Sequence, residues 1–229
     1  MRKVDARTFI DLLLENEVVI FSEKGFVMSS GRESPYMINI GKLADENSLY
    51  LMGEAYAQVI VEKGIVPNHL HGPAYKGIVI ATTTALSMRT RGHTCRVSYD
   101  RKEAKGHGEG TAGNLTKQYL IGAPIRDGTS IVLLDDVITD GKSKYRSVEL
   151  LNSCARNLRF RGLVIAVDRQ EVGRGDRSAA EEFSAQMGMP VYSIVTVTQL
   201  LEHLTSHDRI HAADVDKLRR HVERYGVKR

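Results

Sequence analysis

Apolar positions recur in two rhythms along this 229-residue chain. Between residues 4 and 16, Val4, Phe9, Ile10, Leu12, Leu13 and Leu14 stand among acids at the spacing of an amphipathic helix. Two apolar runs, Phe26 to Met28 and Tyr36 to Ile40, then flank Ser29-Ser30-Gly31-Arg32, the pattern of a β-hairpin. Because it precedes the first strand–helix repeat, the hairpin is expected to form a flap outside the main sheet. From residue 47 the rhythm alternates. Helices are predicted near 48–63, 78–89, 143–157 and 179–187, with strands near 69–71, 94–99, 131–134, 163–167 and 191–195, and helices to the end. Such alternation predicts an α/β fold, a central and mainly parallel sheet flanked by helices. Residues 1–45 then form an N-terminal helix and hood hairpin, and 46–229 the α/β core.

The stretch Ile131 to Ser143 concentrates the chemistry. Four apolar residues suit a strand buried on both faces. Asp135 and Asp136 follow, where that strand is expected to leave the sheet. Thr139-Asp140-Gly141-Lys142-Ser143 then makes a turn that opens a helix. Ligands of open α/β sheets sit outside the carboxyl ends of the strands, and a helix N-terminus there favours a phosphate. Acids for sugar hydroxyls beside a phosphate cradle suit a phosphorylated sugar. On its own the stretch is equally compatible with helix capping. It is not a P-loop, because position 136 is Asp where that motif needs glycine.

Three further stretches fall at strand ends. Arg101 to Gly110 holds three cationic side chains and His107, punctuated by Gly106, Gly108 and Gly110, and reads as a surface loop or, beside a phosphate, as a lid. Gly72-Pro73-Ala74-Tyr75-Lys76-Gly77 joins a strand to a helix, with glycines that let backbone approach an anion and a lysine point charge. Arg169 follows Asp168 at the next strand end, where it suits a carboxylate or carbonyl pair; the stretch fits equally a structural ion pair between Asp168 and a nearby arginine.

Composition narrows the field. Apolar content of 42% and charged content of 26% are those of an ordinary globule. No uncharged apolar run approaches the roughly 20 residues of a membrane span, and Asp5, Asp11 and Glu15 interrupt the first apolar segment, so no signal peptide or membrane partner is expected. Cys95 and Cys154 stand apart without metal spacing, which points to a cytoplasmic protein. Residues 207–229 hold seven Lys/Arg against four Asp/Glu and carry most of the net charge of +4. Without interleaved aromatics this reads as a solvated helix face, and no nucleic-acid partner is expected.

Taken together, the chain resembles the orotate phosphoribosyltransferases, a branch of the type I phosphoribosyltransferases. The resemblance is carried by Ser30 to Tyr36, Gly72 to Gly77, Arg101 to Glu109 with Gly113-Asn114, Asp135 to Thr139, and Asp168 to Gly175. It implies the type I phosphoribosyltransferase fold and transfer of the phosphoribosyl group of phosphoribosyl diphosphate (PRPP) to orotate. The products would be orotidine 5′-monophosphate and pyrophosphate, in pyrimidine (UMP) biosynthesis. It implies that Tyr75 and Lys76 contact PRPP, and that Arg101, Lys102, Lys105 and His107 belong to a mobile lid over about 100–114. Asp135 and Asp136 would hold the ribose hydroxyls. Val137 and Ile138 would complete the PRPP site, with Thr139, Asp140, Gly141, Lys142 and Ser143 around the 5′-phosphate. Catalysis would rest on Lys105, His107, Lys102 and the two acids, and orotate on Met37, Ile38, Thr139 and Arg169. Mg²⁺ would ride on PRPP with no direct protein ligand. A homodimer with the lid shared across its interface is also implied.

Some positions depart from the family pattern. Ser29 stands where the family carries a lysine, the phosphate turn has Asp140 and Lys142 in place of small and hydroxyl residues, and Met37-Ile38 replace aromatics. A regulatory or impaired PRPP-binding paralogue, or a transferase for another base, therefore stays open as an alternative.

Overall fold

A computed structural model of the chain describes residues 3–28, 30–103, 119–173, 175–206 and 210–228. Helix α1 (Ala6–Glu15) is capped by Asp5, whose carboxylate accepts the Thr8 N–H at 2.8 Å, and it buries Phe9, Ile10, Leu12 and Leu13. Strands β1 (Val19–Val27) and β2 (Glu33–Ile38) pair antiparallel as the expected hairpin, a two-stranded sheet separate from the main one.

The core then alternates as α2 (Glu46–Glu62), β3 (His69–Gly72), α3 (Lys76–Thr90), β4 (Arg96–Asp100), β5 (Leu120–Gly122), β6 (Ser130–Val137), α4 (Lys142–Cys154), β7 (Arg159–Asp168), α5 (Ala179–Met187), β8 (Val191–Thr196), α6 (Val197–Ser206) and α7 (Ala212–Tyr225). Strand order in the main sheet is β5-β4-β3-β6-β7-β8. All neighbours are parallel except β4 and β5. The chain moves outward from β3 to β4 and returns to lay β6 on the other side of β3. The carboxyl ends of β3 and β6 therefore bracket a topological switch point, where an open sheet offers a crevice.

Side-chain alternation sends Val132 and Leu134 of β6 into one core, with α1, α2, α3, α6, α7 and the hairpin. Ile131 and Leu133 enter a second core on the opposite face, with α4 and α5. No helix among the described residues is long and apolar enough to cross a membrane.

Two expectations are corrected here. β6 does not leave the sheet at its acids: it runs through Asp135 and Asp136 to Val137, and both acids are buried, at 6% and 8% exposure. β5 was not anticipated, because three residues are too few to display a period.

Candidate active site

The two acids are buried because the fold gives each oxygen a partner. Asp135 Oδ1 accepts the Asp136 N–H at 2.9 Å, and Asp136 Oδ1 accepts the Val137 N–H at 2.8 Å. Lys76, at the head of α3, reaches Asp136 Oδ2 at 2.7 Å. Lys144, on the first turn of α4, reaches Asp135 Oδ2 at 2.6 Å and donates to the Val137 carbonyl at 2.6 Å. Burial pushes Asp135 up, Lys144 pulls it back and Asp136 pushes it up again, leaving it above the usual carboxylate range. From below, the Tyr56 hydroxyl donates to the Asp135 carbonyl at 2.7 Å.

Gly72 and Gly77 lie so close that a Cβ on Gly72 would collide with the Gly77 carbonyl. Their first role is thus to let β3 turn tightly into α3, which brings Lys76 over the acids. Asp100 at the end of β4 fastens the same region, accepting the Ala74 N–H at 2.7 Å and the Ser147 hydroxyl of α4 at 2.7 Å. Tyr75 is exposed, with Lys102 Nζ 4.5 Å from its ring centre. Arg101 donates its N–H to the Tyr119 carbonyl at 2.8 Å, and Arg146 donates to the carbonyls of Arg101 and Lys102. Lys105 and His107, like Ser29, lie outside the described residues.

The turn before α4 depends on Gly141, whose φ of +69° is left-handed and whose Cβ would lie 2.8 Å from the Tyr145 ring. Asp140 Oδ1 accepts the Lys142 N–H at 3.2 Å, and Lys142 Nζ lies 3.0 Å from Asp140 Oδ2. Although burial opposes it, this pairing holds Asp140 below the usual carboxylate range. Ile138 is buried in the second core, while Ser143 Oγ lies 3.4 Å from Asp135 Oδ2. A cavity of about 410 Å³ runs from Thr139 to Lys142 toward Arg32 at the hairpin and Glu171.

Beneath the hairpin lies Arg169, 2% exposed, with its guanidinium 4.1 Å from the Tyr36 ring centre. It pairs with Glu171: Nε donates to Glu171 Oε1 at 2.9 Å and Nη2 to Ser34 Oγ at 2.9 Å. Among the described residues its buried Nη1 finds no hydrogen-bond partner. Glu171 also takes Arg32 of the hairpin at 3.1 Å and His221 of α7 at 3.0 Å. Burial pushes Glu171 up, but the His221 hydrogen bond and the Arg169 charge bring it down to about 2. Met37 and Ile38 fall on opposite faces of β2. Ile38 is buried in the core and Met37 is half-buried.

Asp135, Asp136, Lys76, Tyr75, Lys102 and the 139–143 turn thus converge at one sheet edge, with Arg169 under the hood beside them. Lys144, Glu171, Asp100 and Tyr56 were not anticipated. Lys144 reads from sequence as one more polar helix residue, and only its i+3, i+4 and i+7 relation to the buried Ser147, Val148 and Leu151 marks its face as inward.

The family model for the phosphoribosyl transferase domain matches residues 40–178. The chain is 38% identical to an orotate phosphoribosyltransferase of Marinobacter nauticus over 96% of this chain and 97% of that one. It is 40% identical to an orotate phosphoribosyltransferase of Klebsiella pneumoniae over 96% and 98%. Among solved structures, the orotate phosphoribosyltransferase of Francisella tularensis is similar with a TM-score of 0.74 and 28% identity, over 95% of this chain and 98% of that one.

Proposed function

Since this chain belongs to the phosphoribosyltransferase family, in its orotate phosphoribosyltransferase branch, we propose that it transfers the phosphoribosyl group of PRPP to orotate in pyrimidine biosynthesis. One observation carries the reading: a lysine-paired acid couple, a phosphate turn and a buried arginine with an unpartnered Nη1 meet at the switch point of one sheet.

The 5′-phosphate takes the first turn of α4, where backbone N–H groups and the helix dipole favour an anion. Lys142 offsets the Asp140 carboxylate there. The ribose hydroxyls lie over the acid pair, and the diphosphate over Tyr75 and Lys76. Arg169 Nη1 receives a carbonyl or carboxylate of orotate under the hairpin, with Met37 as the hairpin's side-chain contact. The ring nitrogen of orotate bonds to C1′ as the C1′–O bond to diphosphate breaks, and the electron pair leaves with pyrophosphate. Lys102, with Lys105 and His107, stabilises the charge gathering on that leaving group. Positioning and charge complementarity supply most of the rate.

The acids nearest the diphosphate each carry a lysine, so a Mg²⁺ ion would be held by PRPP oxygens and water rather than by these side chains, and would supply neutralisation of part of the diphosphate charge.

The same reading makes the enzyme a homodimer that shares its lid. In support, the outer face of α3 exposes Val79 at 44% and Leu86 at 67%, beside Tyr75 at 65%. Cys95 and Cys154 are not joined in a disulfide, in keeping with a cytoplasmic setting. Two of the four Lys/Arg of α7 pair along their own helix, Lys217 with Asp214 and Arg219 with Asp216, which favours a solvated face over a nucleic-acid contact. Mixing the protein with PRPP, Mg²⁺ and orotate should make the orotate absorbance fall. Absorbance that holds steady, with turnover of another base, would overturn the assignment.

A further inference from the structure

The two acids look alike in sequence but are held very differently. Asp136 is answered by Lys76, whose side chain is 41% exposed and sits beside the exposed Tyr75. Asp135 is answered by Lys144, whose side chain is 7% exposed and grips both Asp135 Oδ2 and the Val137 carbonyl at 2.6 Å. An incoming diphosphate can draw Lys76 away and release Asp136. No comparable route leads Lys144 out of the protein. Both oxygens of Asp135 are already committed, Oδ1 to the Asp136 N–H and Oδ2 to Lys144 with Ser143 Oγ at 3.4 Å.

Resting on the reading above, we propose that Lys144 is a positioning residue that pins Asp135 as a charged carboxylate, leaving Asp136 as the acid that turns to the ribose hydroxyls. The groups facing Asp135 are Lys144 and Ser143 from α4, Asp136 beside it on β6, and Tyr56 from α2, with Lys76 from α3 acting through Asp136. Without Lys144, a carboxylate 6% exposed would face a second carboxylate with no cation of its own. Such a group takes up a proton, and a neutral Asp135 next to Asp136 would compete for the ribose by donating a hydrogen bond to that neighbour.

The test is the pH profile of kcat/KM for PRPP in the full-length protein with orotate and Mg²⁺. In Lys144→Met the acid limb should move up by about one pH unit or more, with the rate recovering above it. Lys144→Arg should keep the limb of the unmodified protein, and Asp135→Asn added to Lys144→Met should abolish the shift. A loss equal at every pH would overturn the proposal. Thermal melting gives an arm that needs no turnover. The deficit of Lys144→Met should shrink as pH falls, because its raised carboxyl is then protonated in both states, and adding Asp135→Asn should restore part of the melting temperature. A double variant no more stable than Lys144→Met would also overturn it. Failure of the underlying reading is seen separately, as absent orotate turnover in the unmodified protein.

Discussion

His221 Nε2 lies 3.0 Å from Glu171 Oε1, and through that contact the C-terminal helix joins the loop that carries Arg169. The same carboxylate holds Arg32 of the hairpin and the buried Arg169 guanidinium. One acid therefore ties the hood, the sheet edge and α7 together.

Glu171→Ala should be among the most destabilising single changes near the site. It leaves a guanidinium 2% exposed with Ser34 Oγ as its remaining polar contact from the hairpin. Breaking a buried pair from one side costs about 3–5 kcal/mol, to be measured as a lower urea midpoint at unchanged m-value. A loss below about 1 kcal/mol would mean that the hood does not rely on this acid. The pH dependence has a fixed sign. With Glu171 at about 2 when folded against an ordinary 4.5, its contribution is complete above 4.5 and is lost as pH falls toward 2.

A second acid sensitivity should come from β3. His69 Nε2 and His71 Nδ1 share the Ser98 hydroxyl at 2.8 and 2.9 Å, and the buried His71 Nε2 has no partner among the described residues. Burial, then the neighbouring His69, brings His71 down to about 3, while burial and Arg96 bring His69 down to about 4. The unfolded chain binds these protons near pH 6.5 and the folded chain refuses them, so stability is lost as pH falls below 6.5. By pH 5, His71 alone should account for about 2 kcal/mol. His71→Phe should stabilise the protein at pH 5 relative to pH 8, read from melting curves. An equal effect at both pH values would contradict the assignment.

Much of this architecture was legible from periodicity. The hairpin around Gly31 stands where its two apolar runs place it, and the turn at Gly72 to Gly77 joins a strand to a helix as the alternation predicts. What stayed hidden was burial of charge. Asp135 and Asp136 read as a strand's end because ionised acids belong in water, and lysines from two different helices are what keep them inside. Nothing local to Lys144 announces its partner. Glu171 was visible as a residue but not as a hub, because its partners lie at positions 32, 36, 169 and 221.

Lys105→Ala should lower turnover far more than it raises the Michaelis constant for orotate. Its proposed contact strengthens only as the leaving group gathers charge. Steady-state kinetics with both substrates varied will decide, and an unchanged turnover number would remove Lys105 from the mechanism.

Asp140 and Lys142 form a self-contained pair on the turn before α4, at 3.0 Å. Replacing both, as Asp140→Ala with Lys142→Thr, removes opposite charges together and should leave PRPP affinity equal or improved. Lys142→Thr alone should weaken it, since Asp140 would then face the phosphate uncompensated. Calorimetric titration with PRPP reads both, and a collapse of affinity in the double variant would show that the lysine serves the ligand rather than the aspartate.

The bracing of residues 19–38 by residues 212–225 also bears on synthesis. A ribosome delivers the hairpin long before its brace, so a nascent chain can carry a folded sheet while the roof over Arg169 stays loose. The pocket would then be finished only once α7 has been made, and fragments ending before α7 would keep their β-strand core yet lose the cover over Arg169.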